Sequence, residues 1–109
     1  MAITEITPDY SVSPQIGAGE VAEIAARGFR SIMCNRPDGE SPDQTPVAAI
    51  RAEAERLGLA FAFVPVVSGQ IGGDDVADFV AALDALPKPV LAYCRSGGRC
   101  QNLWMLTGR

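Results

Sequence analysis

The stretch "VLAYCRSGGRCQNLW", Val90 to Trp104, decides how the rest of the chain is read. Four strand-forming residues, Val90 to Tyr93, run into a short loop that holds Cys94, Gly97, Gly98 and Arg99. After it the apolar run "LWML" from Leu103 opens a final helix. A short apolar strand passing to a helix through a glycine-rich turn is the local unit of a parallel α/β sheet, in which ligands bind beyond the carboxyl ends of the strands.

The preceding chain repeats this alternation. "YSVS" (Tyr10 to Ser13) reads as a short edge strand between Pro8 and Pro14. Gly19 to Arg27 reads as a helix closed by Gly28, and Phe29 to Cys34 as a strand. "NRPDGESPDQ" (Asn35 to Gln44) is loop, Thr45-Pro46 supplies an N-cap and first helical residue, and the second helix runs to about Leu57. Leu59 to Val67 predicts a buried strand. Asp75 and Asp78 mark the start of an amphipathic helix carrying Val76, Phe79, Val80, Leu83 and Leu86. The expected fold is α/β and three-layered: a mostly parallel central sheet of four to five strands flanked by helices. At 109 residues it forms a single domain, 1–109. The loops after Cys34, Val67 and Tyr93 then meet at one edge of the sheet.

Bulk properties exclude several functions. A net charge of -4 argues against nucleic-acid partners, which require many Lys and Arg opposite the phosphates. No apolar run approaches the roughly 20 residues of a membrane span, and the N-terminus has no signal-peptide pattern. A cytoplasmic location is expected, and with it free rather than bridged cysteines at 34, 94 and 100. Histidine is absent, which removes Cys-His and Ser-His-Asp catalysis and most zinc sites. No cofactor or metal is expected.

In "CRSGGR" a cysteine ends a buried strand and an arginine begins a helix. Glycines 97 and 98 let backbone N–H groups turn inward as an anion nest that includes Arg95, Ser96, Gly97 and Gly98, and the helix N-terminus adds positive potential. That field favours thiolate at Cys94, so a nucleophile at neutral pH needs no imidazole. Arg99 presents a planar fork to the oxygens of a tetrahedral anion.

Along "TPDYSVSPQI" (7–16), "GFRSIMCNRPDGE" (28–40), "VPVVSGQI" (64–71) and "PVLAYCRSGGR...LW" (89–104), the chain resembles the phosphatase-like domain of the beta-lactamase hydrolase-like proteins, a family with a rhodanese-type sulfur-transferase assignment. The resemblance implies a cysteine-phosphatase-like fold, a catalytic Cys94 and an anion-binding Arg99. It also implies a setting in sulfide oxidation, with a persulfide dioxygenase or sulfide:quinone oxidoreductase as partner. Cysteine phosphatases carry one more residue between Cys and Arg than the four found here, whereas four looks like the rhodanese spacing. "VPVVSGQIGG" also has no carboxylate where such phosphatases place a general acid, and Tyr93 stands where they often have His.

The expected activity is therefore a rhodanese-type sulfurtransferase. Sulfane sulfur passes from thiosulfate, glutathione persulfide or polysulfide to a Cys94 persulfide and then to a thiol acceptor, so the ligands are small sulfur-containing anions or low-molecular-weight thiols. The alternatives are a protein tyrosine or dual-specificity-type phosphatase and a non-catalytic anion- or persulfide-binding module. Cys100 stands where this loop usually has a hydroxyl. It is either a near-neutral replacement or a resolving thiol that closes a disulfide with Cys94. Cys34 reads as a buried inert cysteine that can reach the site edge, and Trp104 and Met105 as core. Arg36 and Asp38 either pair with one another or, through Arg36, help bind an anionic donor at the substrate edge. Asp74 and Asp75 read as helix-capping residues, and the short run left after Trp104 leaves room for a fused partner.

Overall fold

A computed structural model describes residues 1–109. Its elements run β1 (Thr4–Thr7), β2 (Tyr10–Ser13), a 3-10 turn (Ala18–Glu20) leading into α1 (Val21–Ala26), β3 (Ser31–Cys34), α2 (Val47–Arg56), β4 (Ala60–Phe63), α3 (Gly73–Ala85), β5 (Val90–Tyr93) and α4 (Gly98–Leu106). One five-stranded sheet has the order β1-β2-β5-β3-β4, and only the β1–β2 pair is antiparallel. The three-layer α/β expectation holds.

Strand alternation assigns the layers. Val90 and Ala92 of β5, and Cys94 just beyond it, point into a core closed by Phe79 and Leu83 of α3 and Cys100 and Leu103 of α4. Leu91 and Tyr93 point the other way, into a core closed by Val21 and Ile24 of α1 and Ile50 and Ala54 of α2. Every residue of β5 is buried, as a strand paired on both sides and covered on both faces must be. The register places Ser13 of β2 and Cys34 of β3 both opposite Tyr93, so the next residues leave the sheet together at its carboxyl edge. Cys94 is the first residue beyond the central strand. No helix is long and apolar enough to cross a membrane.

Five local readings change. "YSVS" is an interior strand because Thr4–Thr7 pairs outside it and takes the edge. The apolar run from Leu59 yields only Ala60–Phe63 as strand, half-buried at the opposite edge, although the Val64 and Val66 N–H groups beyond it still donate to the Cys34 and Asn35 carbonyls at 2.9 and 3.0 Å. Helix α2 starts at Val47, with Pro46 rather than Thr45 as its cap, and the Val47 N–H donates to Asp38 Oδ1 at 2.8 Å. Helix α3 starts at Gly73, and Asp75 Oδ2 accepts the Gly72 N–H at 2.9 Å as its N3 capping residue, so neither Asp75 nor Asp78 begins it. The last helix starts at Gly98, ahead of the apolar run from Leu103, and in it Met105 is 69% exposed and not core, whereas Trp104 stacks on Tyr10 with ring centroids 5.1 Å apart.

Candidate active site at the carboxyl edge of β5

The loop from Cys94 to Arg99 closes over its own cysteine. Gly97 takes φ +90°, the left-handed conformation that L side chains rarely adopt, and serves as N-cap of α4. In that conformation the Gly97 N–H points back and donates to Cys94 Sγ at 3.1 Å. The Cys100 thiol and the backbone N–H groups of Cys100, Arg99 and Ser96 surround the same sulfur and favour its ionised form. These donors, led by the Cys100 thiol, outweigh burial and bring the Cys94 pKa down to about 5. Cys94 is thus a thiolate at neutral pH. A ring of inward N–H groups at a helix N-terminus is also what a tetrahedral oxyanion requires.

Cys100 is fully buried, and burial pushes its thiol well above the usual range, so it stays protonated and able to donate. Tyr10 supports it from β2 by donating its hydroxyl to the Cys100 carbonyl at 2.8 Å. The Cys100 thiol thus supports the Cys94 thiolate from the position where this loop usually has a hydroxyl.

Arg99 is aimed by a residue that sequence reading missed. Glu40 takes its guanidinium in a two-pronged pair, Nη1 to Oε2 at 2.7 Å and Nη2 to Oε1 at 2.8 Å, and Arg99 Nη1 also donates to the Val66 carbonyl at 3.0 Å. The guanidinium lies against the Cys94 sulfur as well. Hydrogen bonds from Arg99 and Arg36 hold the Glu40 carboxyl down at about 2, so it is ionised at any working pH. Glu40 lies inside a loop read only for its turn residues, and nothing local in "NRPDGES" signals a partner fifty-nine positions away.

Arg36 is buried and occupied: its Nε donates to Glu40 Oε1 at 3.0 Å and its Nη1 to Gln15 Oε1 at 3.0 Å. It does not pair with Asp38, which instead caps α2, and it is not among the residues lining the cleft over the loop; it braces Glu40. Cys34 sits in the core on the opposite face of the sheet from Cys94, its thiol donating to the Arg36 carbonyl at 3.2 Å, so it does not reach the site. A cleft of about 310 Å³ opens over the loop, lined by Arg95, Ser96, Arg99 and Asn102 on one side and by Ser68 and Ile71 of the β4–α3 connection on the other. No carboxylate lines it.

The turn at Gly97 carries a direct expectation. A Cβ there would lie 3.4 Å from the Ser13 carbonyl carbon and oxygen, on a backbone angle that costs a non-glycine residue roughly 1–2 kcal/mol. Gly97→Ala is expected to lower the melting temperature by about 4 °C or more. It should also raise the Cys94 pKa from about 5, because the amide aimed at the sulfur turns away. Thermal denaturation and a pH titration of thiolate absorbance check both effects.

Three comparisons bear on this geometry. Residues 2–108 match the family model described as the beta-lactamase hydrolase-like protein, phosphatase-like domain. A beta-lactamase hydrolase-like protein of Xylella fastidiosa is 39% identical over 107 residues, which are 98% of this chain and 25% of that protein, so the chain spans a quarter of its length. Among solved structures, a candidate phosphatase of Neisseria meningitidis superposes with a TM-score of 0.88 at 38% identity, over 95% of this chain and 74% of that one. The core catalytic domain of the yeast PP-IP phosphatase SIW14 shares the fold alone, with a TM-score of 0.67 at 13% identity over 87% of this chain and 56% of that one.

These likenesses correct the expectation of sulfur transfer. The solved structures it resembles include a candidate phosphatase at 38% identity and, for the fold alone, a PP-IP phosphatase. The count of four residues between Cys94 and Arg99 misled because it is a one-dimensional measure. In space the left-handed Gly97 still brings the amides and Arg99 around the sulfur.

Proposed function

The chain belongs to the phosphatase-like domain family of the beta-lactamase hydrolase-like proteins, and from that premise we propose that it is a cysteine-dependent phosphatase with Cys94 as nucleophile and Arg99 as the anion-binding residue. The observation that carries this reading is the ring of N–H donors and the Glu40-aimed guanidinium around a thiolate. Cys94 Sγ attacks phosphorus, the S–P bond forms as the bond to the leaving oxygen breaks, and the leaving group departs with the electron pair. Charge spread over the three phosphoryl oxygens is met by the loop N–H groups and by Arg99. Water then attacks phosphorus, releasing dihydrogen phosphate and regenerating the thiolate. The low Cys94 pKa serves both steps, since the sulfur that attacks readily also leaves readily.

The test is phosphate release from an aryl phosphate, with acid quench and peptide mass spectrometry to find phosphocysteine at residue 94. Release with the intermediate at Cys94 supports the reading; no release, or phosphate carried elsewhere, overturns it.

The opposite shifts that Cys94 and Cys100 impose on one another's thiols support a second role for Cys100. A peroxide oxidises the Cys94 thiolate to the sulfenic acid; the Cys100 thiol then condenses with it, forming the disulfide and releasing water, and a thiol reductant restores both. Peroxide treatment is expected to give a linked Cys94–Cys100 peptide and activity that dithiothreitol recovers. If Cys94 instead proceeds to the sulfinic acid without a linked peptide, Cys100 is a hydrogen-bond donor only.

A further inference from the structure

The cleft above Cys94 contains two cations, Arg95 and Arg99, and no group able to protonate a leaving oxygen. Of the carboxylates nearest in sequence, Asp75 is committed to the cap of α3, Asp38 to the cap of α2, and Glu40 to Arg99 and Arg36, while Asp74 is exposed in the first turn of α3 and does not line the cleft. Glu40, held at about 2, carries no proton to give. The wall where a leaving group would depart is Ser68 and Ile71, and neither is an acid.

General acid catalysis is worth roughly 10²–10⁴-fold, and its worth falls as the leaving group becomes less basic. An aliphatic alkoxide is about as basic as hydroxide, whose conjugate acid has a pKa of about 15.7, and a phenolate has one near 10. A phosphate monoester dianion has one of only about 6, so it leaves at neutral pH without a proton. A site with no acid therefore favours bonds whose leaving group is itself a phosphate.

The second cation fits the same class. Arg95 is exposed on the cleft wall, and none of the ion pairs in the structure includes it. Arg99, by contrast, is pinned by Glu40 over the nucleophile. One arginine fixed at the reacting centre and one unpaired at the mouth suit two successive phosphate groups.

We propose that the substrates are phosphoanhydrides, whose terminal phosphoryl group passes to Cys94 while the inner phosphate, held by Arg95, leaves as the dianion. This rests on the phosphatase reading and specifies its substrate. The Cys94 thiolate forms the S–P bond, the P–O bond of the anhydride breaks, and the bridging oxygen keeps the electron pair and needs no proton. Hydrolysis of the phosphocysteine follows as for any other substrate.

The experiment compares kcat/KM, for the wild type and Arg95→Ala, on inorganic pyrophosphate, a nucleoside diphosphate, an aryl phosphate and an alkyl phosphate such as phosphoserine. The diphosphates are expected to exceed the alkyl phosphate by about 10²-fold or more, with the aryl phosphate between. Arg95→Ala should cost the diphosphates about tenfold and the aryl phosphate a smaller factor. Preference for the nucleoside diphosphate over pyrophosphate, or the reverse, identifies which source of the diphosphate the cleft accepts. Alkyl phosphates turned over as fast as diphosphates, or an equal Arg95→Ala loss on all substrates, overturn the substrate class and leave the phosphatase reading standing. Phosphate release from none of them, or release that survives Cys94→Ser, overturns the phosphatase reading itself.

Discussion

Cys94→Ser is expected to reduce phosphate release by about 10⁴-fold or more while leaving the fold intact. Serine fits the space of the thiol, but its hydroxyl does not ionise in the field that lowers the cysteine pKa to about 5. The same field sets the pH dependence of the wild type. The nucleophile is the deprotonated form, so kcat/KM should rise as pH increases through about 5 and lose its dependence on this group by about pH 7. The upper side should be flat with respect to Arg99, whose pKa lies above its ordinary value because Glu40 stabilises the guanidinium. A pH-rate profile with circular dichroism of both proteins checks the effect. An ascending limb near pH 8 or 9 would mean that the thiolate is not stabilised as the geometry requires.

Arg99→Lys is expected to reduce kcat by roughly 10²–10³-fold, and Arg99→Met by more. The guanidinium performs two tasks at once: it meets Glu40 through both terminal nitrogens and lies against the Cys94 sulfur. A lysine ammonium is a point charge without the planar fork, so it cannot keep both contacts. Its charge remains, which is why the loss falls short of removing the cation altogether. Glu40 acts only through Arg99. Glu40→Gln should therefore lower kcat by about tenfold with a smaller change in KM, as expected for an arginine that is present but loosely aimed. A loss confined to KM would instead make Glu40 part of substrate binding.

Much of the fold was readable because its signals are local. Apolar strands bounded by glycine and proline, and helices with one apolar face, placed β2, β3, β5 and the three longer helices within a few residues. The outer strand Thr4–Thr7 gave no such signal: "TEIT" is short and polar, and it is a strand only because β2 offers it a pairing edge. The nucleophile, the two glycines and Arg99 were legible for the same reason, lying in one stretch whose order states its chemistry. Glu40 and Tyr10 were not. Each enters the site from a distant part of the chain through a contact that only the assembled sheet creates. Loop length along the chain is a poor guide to the reaction for a related reason, since the surroundings of Cys94 depend on how Gly97 turns the loop in space.

The central place of β5 has a consequence for the life of the protein before it folds. Its neighbours are β2, paired from Tyr10 to Val90, and β3, paired from Ser31 to Val90, so the strand that carries Cys94 closes two long loops of chain. In the unfolded polypeptide none of the donors around Cys94 is in place. A thiol with the ordinary value of 9.0 is only about one per cent ionised at pH 7. The newly made chain therefore carries an unreactive cysteine through synthesis and collapse. The thiolate becomes available to substrate, or exposed to oxidants, only when long-range pairing is complete and Cys100 stands beside it.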